Sequence, residues 1–510
     1  MELLIDRYAE NILGVLGCYD RIIIRGTLPT ICYADGMARY LTSKEIRLFD
    51  YTQFADPYRE KLKAHAEALA TKNSMPIEFI RSSNARKEDI AKKHLDNSKF
   101  GLVCILSAME ACATYKPWHD KVSHRTFLKS AQGKCLHYYF YFNDPDIGFG
   151  YVRVPTWCPF QLQVYFNGHN VLANQLSKKK IGYSMVDNAF DYIEDLPTGQ
   201  AGFDKAQNLS DKMDISKLFK KMEWLSKLYC PIHQDFGQSY HWSIMQIEYA
   251  TDIVFDNAAT LKPIYDDLIA TAIHTVKPAN ISTFFGQKLH GNYEGQMGNN
   301  YNIRLEGSRI KHSMGPVSIK MYDKFNKILR IETTVNDVSF FKHYRTVEHR
   351  DGTTSQQQAA LKKNIFSLPI LCVLMKSANG RYLEFISAIE DHTIGKKKLE
   401  KISKPKVEND RTYKGFNFFE KIDQDILLHL TSGEFNISGF RKKDFTKRFK
   451  RLSTFQISRI FKRLRVIGLI KKVPSTYKYY ITKLGKEAIL TALKLKNMVI
   501  IPYLNYNIAA

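Results

Sequence analysis

A lysine-rich stretch, Gly395–Lys414 (GKKKLEKISKPKVENDRTYK), constrains the fold of this chain more than any other segment. It carries Pro405 and almost no large apolar residue, so it reads as a linker between separately folded parts. The pattern changes on its far side. Short helices are expected over Phe418–Leu430, Ser438–Phe449 and Thr454–Val466. On the third, Phe455, Ile457, Ile460, Phe461 and Leu464 form an apolar stripe, with Gln456, Ser458, Arg459, Lys462, Arg463 and Arg465 opposite. Gly468-Leu469-Ile470, a basic turn and Tyr477–Ile481 then predict strand, wing and strand, and LGKEAILTALKLK predicts a last helix.

In order and spacing, FKRLRVIGLIKKVPSTYKYYITKLG resembles the winged helix-turn-helix of the MarR class, over about residues 416–496. The resemblance implies that the third helix enters the major groove of duplex DNA and that the wing touches the backbone. Charge points the same way. From Arg441 to Lys472 there are 13 basic residues and one acid, Asp444. The whole chain has 75 Lys and Arg against 51 Asp and Glu, a net charge of +24, which suits a polyphosphate partner. Arg459, Lys462 and Arg463, with Arg465, are the candidates for the groove; Lys471, Lys472 and Lys478 are the candidates for phosphates at the wing.

The remainder reads as α/β (α+β), with an N-terminal α/β extension over 1–200, a sheet-based unit over 215–394, the linker at 395–415 and the winged helix at 416–500. The polar stretch Asp195–Asp214 marks the first boundary. Tyr19–Leu28 has strand character, and Leu136–Phe142 with Gly150–Val154 predicts a hairpin. No internal repeat is visible. The eight cysteines form no C-x-x-C pair and read as reduced, buried thiols.

Three strings occur in order in the middle of the chain: IMQIEYATD (Ile244–Asp252), GSRIKHSMGPVSIKMYDK (Gly307–Lys324) and LRIE (Leu329–Glu332). Together they resemble the trans-acting replication initiators of rolling-circle plasmids, relatives of the HUH nickases, over about residues 240–340. The resemblance implies a central antiparallel sheet that nicks and rejoins one DNA strand, with Tyr322 as the nucleophile and Mg²⁺ or Mn²⁺ as the metal. It makes Glu248 and Glu332, then Asp252, the metal ligands. Lys320, Lys324 and Arg330 become the groups that neutralise phosphate charge. Strand alternation agrees, since Lys320, Tyr322 and Lys324 share one face, as do Arg330 and Glu332. The sequence departs from the family in lacking any His-hydrophobe-His pair, and Gln246 stands where the family tends to have Arg. His290 and His312 are further acid/base or ligand candidates.

The expected partners are duplex DNA at the winged helix and single-stranded DNA at the sheet, in a mobile-element protein active in replication or transposition. A homodimer is compatible with this pattern. Two other readings stand beside it: a MarR-like regulator without enzymatic activity, and an RNA-binding protein using the aromatics Tyr138–Phe142 as a platform. No apolar run reaches the roughly 20 residues that span a bilayer, and Glu2 and Asp6 follow Met1, so a cytoplasmic protein without membrane contact is expected.

Overall fold

The computed structural model describes residues 3–96, 98–289, 293–304, 307–390, 400–430, 435, 439–485, 489 and 492. They divide into two compact units, Met1–Glu390 and Asp391–Ala510. The class is α+β, built on a large central sheet.

The strands of the first unit are β1 (Ile12–Thr27), β2 (Ile77–Phe79), β3 (Gly101–Asp120), β4 (Arg125–Asp144), β5 (Gly148–Pro155) and β6 (Leu162–Phe166). After a small β7–β8 pair (Tyr183–Met185, Phe190–Ile193) come β9 (His241–Phe255), β10 (Met297–Arg304), β11 (Gly307–Met314), β12 (Val317–Lys324) and β13 (Ile328–Val335). Eleven of them form one sheet in the order β10-β11-β12-β13-β9-β1-β6-β5-β4-β3-β2. Every pairing is antiparallel except β2 with β3.

Outward from the β9–β1 seam the two halves run in the same order, except that the first carries an additional edge strand, β2. Each half opens with a long strand, β1 or β9, and continues through helices (Ala34–Ser43 and Tyr51–Lys72, or Ala258–Thr275 and Pro278–Phe284). Each then runs a four-strand meander whose last strand, β6 or β13, returns beside the first. The unit is thus a topological repeat that the sequence does not display. Antiparallel pairing of β1 with β9 joins the halves, from Ile12↔Phe255 to Thr27↔His241.

The boundary expected near residues 195–214 therefore does not separate two sheets. Its polar stretch contains the helix Gly202–Ser210, whose Phe203 and Ala206 are buried in an apolar cluster with Leu16 and Val254. The larger core draws on residues from Leu4 to Ile386. Strand β13 is buried at every position, so both of its faces are covered. On one face lies the helix Leu368–Glu390, whose Asn379 amide donates to the carbonyls of Tyr249 and Ile331. The opposite face carries the charged residues.

The hairpin predicted around Asp144–Gly148 is present, with Tyr138↔Val154 and Phe142↔Gly150 paired. Its aromatics are all buried. Tyr138, Phe140 and Phe142 enter the main core, while Tyr139 and Tyr141 enter a second cluster with Leu106 and Phe149. None is exposed enough to serve as a base-stacking platform. All eight cysteines are unpaired, and six are buried. No described helix is long and apolar enough to cross a membrane.

In the second unit, helices Lys421–Leu430, Lys442–Arg448 and Thr454–Ile467 precede an antiparallel pair, Ile470–Lys472 with Tyr479–Ile481. The Ser453 hydroxyl accepts from the Gln456 amide and starts the third helix. Gly468, at φ 89°, ends it in the left-handed conformation that glycine adopts without strain. Ile426, Leu430, Phe440, Phe445, Ile457, Phe461 and Leu464 form the core. Phe455, expected in the apolar stripe, is 76% exposed. Part of the expected linker is structured: Ile402 is buried in this core, and Lys406–Glu408 pairs with Arg411–Tyr413. Ser438 and most of the expected last helix lie outside the described residues, as does His290.

Candidate functional site

The charged face of the sheet centres on β1, β9, β13 and β12. Register places Lys320 opposite Glu332, Tyr322 opposite Arg330, and Glu248 opposite Thr334. These side chains alternate onto one face. Between Tyr19↔Tyr249 and Ile22↔Ile247 the register of β1 shifts, and Asp20 and Arg21 occupy the resulting bulge. Bulges re-aim side chains, and this one brings Asp20 to the acids of the other half. Carboxylate oxygens of Asp20, Glu248 and Glu332 lie within 4.8 Å of one another.

Four of the expected residues meet here. The Tyr322 hydroxyl donates to Glu332 Oε2 at 2.6 Å. Lys320 Nζ donates to Glu332 Oε1 at 2.6 Å and to Glu248 Oε1 at 3.3 Å. Thr334 Oγ1 donates to the same Glu248 oxygen, and Arg21 Nε lies 3.9 Å from the other. Burial and the neighbouring Glu332 push the Glu248 carboxyl up. Burial would lower the Lys320 ammonium, but the two glutamates outweigh it and hold it above its ordinary value. Burial, then Glu332, holds the Tyr322 phenol well above its ordinary value.

The other three expected residues form an adjoining cluster. Asp252, expected as a metal ligand, is fully buried and accepts from Arg330 at both oxygens, 2.6 Å each. Burial would raise its pKa, and Arg330 reverses the sign. Asp252 is thus committed to an ion pair, and Arg330, expected at the phosphate, has no exposed surface. Lys324 is held by Asp187 at 3.0 Å and by the Asn188 amide oxygen. His169 links the clusters, at 3.5 Å from Asp20 and 3.7 Å from Asp252. It follows Gly168, where a Cβ would lie 2.3 Å from the Tyr19 carbonyl, so glycine lets this helix start against β1. Asp20 also accepts from Asn167 at 3.0 Å and from Asn188. Burial opposes its ionisation, yet Arg330 and His169 keep its pKa below the usual range.

Asp20 is the residue sequence reasoning left unassigned. Its only signal was an acid interrupting the apolar strand YDRIIIRGTL. A polar cleft of about 580 Å³ opens beside it, lined by Asp20, Glu248, Arg21, Lys87, Tyr151 and Tyr165 among others. His312, the other histidine candidate, is buried elsewhere, between Asn299 and Tyr382.

In the second unit the basic candidates divide. Arg459, Arg465, Lys471 and Lys472 are exposed, and Lys478 is partly exposed. Arg463 is not free: it forks onto Asp423 at 2.8 Å through both terminal nitrogens and stacks 3.8 Å from the Phe416 ring centre. Lys462 is paired with Glu408. Helical spacing placed both on the polar side, but their partners come from segments 40 and 54 residues away.

No model of a known family matches this sequence, and no curated protein matches it either. Among solved structures, a rolling circle replication initiator protein from Geobacillus stearothermophilus aligns over 64% of this chain and 75% of its own, with 8% identity and a TM-score of 0.19. Superposition that poor leaves the site to be judged on its own geometry.

Proposed function

We propose that this chain is a DNA-processing protein of a mobile element, which nicks and rejoins one strand through a tyrosine and a divalent metal. The observation that carries the reading is the convergence of Asp20, Glu248 and Glu332 from three strands beside the Tyr322 hydroxyl. Three clustered carboxylates are a donor set suited to a hard cation such as Mg²⁺ or Mn²⁺. Such an ion would polarise the scissile phosphate. Glu332 Oε2, which accepts from the Tyr322 hydroxyl, would take the phenolic proton as Tyr322 attacks phosphorus. The Oη–P bond forms, the P–O3′ bond breaks, and the 3′ oxygen leaves as a hydroxyl on taking a proton from water, while Glu332 keeps the phenolic proton until rejoining returns it to Tyr322. Attack by that hydroxyl on the phosphotyrosine rejoins the strand. Lys320 supplies positive charge beside both glutamates.

The second unit, in this reading, is a winged helix that docks duplex DNA. Thr454–Ile467 enters the groove with Arg459 and Arg465, and the strand pair after it forms the wing with Lys471, Lys472 and Lys478.

The test is cleavage of supercoiled and single-stranded DNA, taken from sequence flanking the gene, with Mn²⁺ or Mg²⁺. The expected result is a covalent protein–DNA adduct that disappears in Tyr322→Phe and in Asp20→Asn. An adduct surviving Tyr322→Phe moves the nucleophile to another tyrosine, Tyr151 and Tyr165 of the cleft first. Tight duplex binding with no cleavage at all replaces the enzyme by a winged-helix regulator.

A further inference from the structure

Strands β3 and β4 pair over nearly their whole length, from Gly101↔Asn143 to Asp120↔Arg125. Their sheet neighbours are much shorter. β2 reaches β3 only at Ile105–Ser107, and β5 reaches β4 only from His137 onward. The hairpin therefore runs past the sheet as a two-stranded ribbon. Its base is anchored, because Tyr115 and Leu128 are buried and the Tyr115 hydroxyl donates to the Ile31 carbonyl at 2.7 Å. Beyond that point the ribbon is exposed.

The composition of its outer part is one-sided. Lys116, Lys121, Arg125 and Lys129 stand against a single acid, Asp120. That carboxylate is occupied within the turn, accepting from the amides of Val122 and Ser123. Trp118 pairs with Phe127 and Lys116 with Lys129 across the strands, so alternation puts all four on one face. Trp118 is 51% exposed and Phe127 36%. Lys129 Nζ lies 3.8 Å from the Trp118 ring centre and 5.5 Å from that of Phe127. Nothing in the core requires two aromatic rings at the free end of a ribbon. Rings flanked by cations are what successive unstacked bases and their phosphates require.

We propose that this ribbon is a binding site for single-stranded DNA, with Trp118 and Phe127 stacking on bases and Lys116, Lys129 and Arg125 meeting the phosphates. The proposal rests on the reading of the chain as a DNA-processing protein, and supplies a grip on the separated strand away from the cutting residues. Paired bases keep their faces stacked within the duplex, so the ring pair favours a single strand over a double one.

The test measures affinity of the full chain for labelled oligothymidine and for a duplex, by fluorescence anisotropy. Wild type is compared with the double variant Trp118→Ala/Phe127→Ala and the conservative Trp118→Phe/Phe127→Tyr. Because both rings lie outside the core, the melting temperature should stay unchanged, which checks folding. Loss of about tenfold or more in single-strand affinity, with duplex affinity intact and the conservative pair near wild type, is expected. Unchanged single-strand affinity in the alanine variant overturns the proposal. Equal loss on both DNAs also overturns it, leaving a general cationic surface. A change in oligomeric state by light scattering, with DNA affinity unchanged, reassigns the rings to contact between copies. Wild type binding neither DNA defeats both this proposal and the nicking one. A ribbon effect in a protein that never cleaves defeats the nicking reading alone.

Discussion

Lys320 bridges two glutamates, donating to Glu332 at 2.6 Å and to Glu248 at 3.3 Å. Removing it should expose what the acids are for. Lys320→Met leaves Glu248 and Glu332 facing each other with little solvent, a loss on the order of 3–5 kcal/mol for breaking a buried pair. Thermal unfolding should show that loss and its partial recovery in millimolar Mn²⁺, whereas Lys320→Met/Glu332→Gln should show little response to Mn²⁺. Equal unresponsiveness in both variants would argue against a cation site. A second residue gives a pH test. Burial pushes the Asp323 carboxyl up to about 6, and its Oδ1 has no hydrogen-bond partner. A carboxyl raised above its unfolded value of 3.8 contributes stability below that value and loses it as pH rises through about 6. Asp323→Asn should therefore stabilise the protein at pH 7.5 by about 2 kcal/mol, read as a higher melting temperature, and give no gain near pH 3.5. These partnerships were only half legible in the sequence. Alternation put Lys320 and Tyr322 on one face of their strand and Arg330 and Glu332 on one face of theirs, and register brings the two sets together. Asp252 obeyed the same alternation, yet its position next to Arg330 was fixed by register, which no single strand reveals. Asp20 was hidden because a bulge changes which face a residue serves.

At the scale of elements, the helix Thr454–Ile467 carries two kinds of arginine. Arg463 ties it to Asp423 and Phe416, while Arg459 points to solvent. Arg463→Ala should lower the stability of the second unit by a few kcal/mol, since it strands a buried carboxylate. Arg459→Ala should leave melting unchanged and weaken duplex binding, reducing the slope of log affinity against log salt by about one. Titrations at several salt concentrations, alongside melting curves, separate the two. Capping and periodicity were enough to find this helix within a residue of its true end, because those signals are local. The structured hairpin at Lys406–Tyr413 escaped notice for the opposite reason: its lysines look like linker, and the burial of Ile402 depends on a core built elsewhere in the chain.

On this architecture the first unit as a whole should unfold as one body. Fragment 1–200 ends with the long edge of β1 bare, and fragment 201–390 ends with that of β9 bare. Each alone should aggregate or remain unfolded, and co-expression should restore a soluble pair with a single melting transition; a stable, monomeric 1–200 fragment would contradict the shared sheet. Composition could not have announced this, because topological repetition survives the loss of every repeated residue. The seam between the halves also has a temporal side. Asp20 comes from the first strand to be made, Glu248 from the ninth and Glu332 from the thirteenth. A ribosome must deliver nearly the entire unit before the three carboxylates can meet. On the nicking reading, a product truncated before β13 would lack Glu332, and the capacity to cut would arise only when that strand closes against the others.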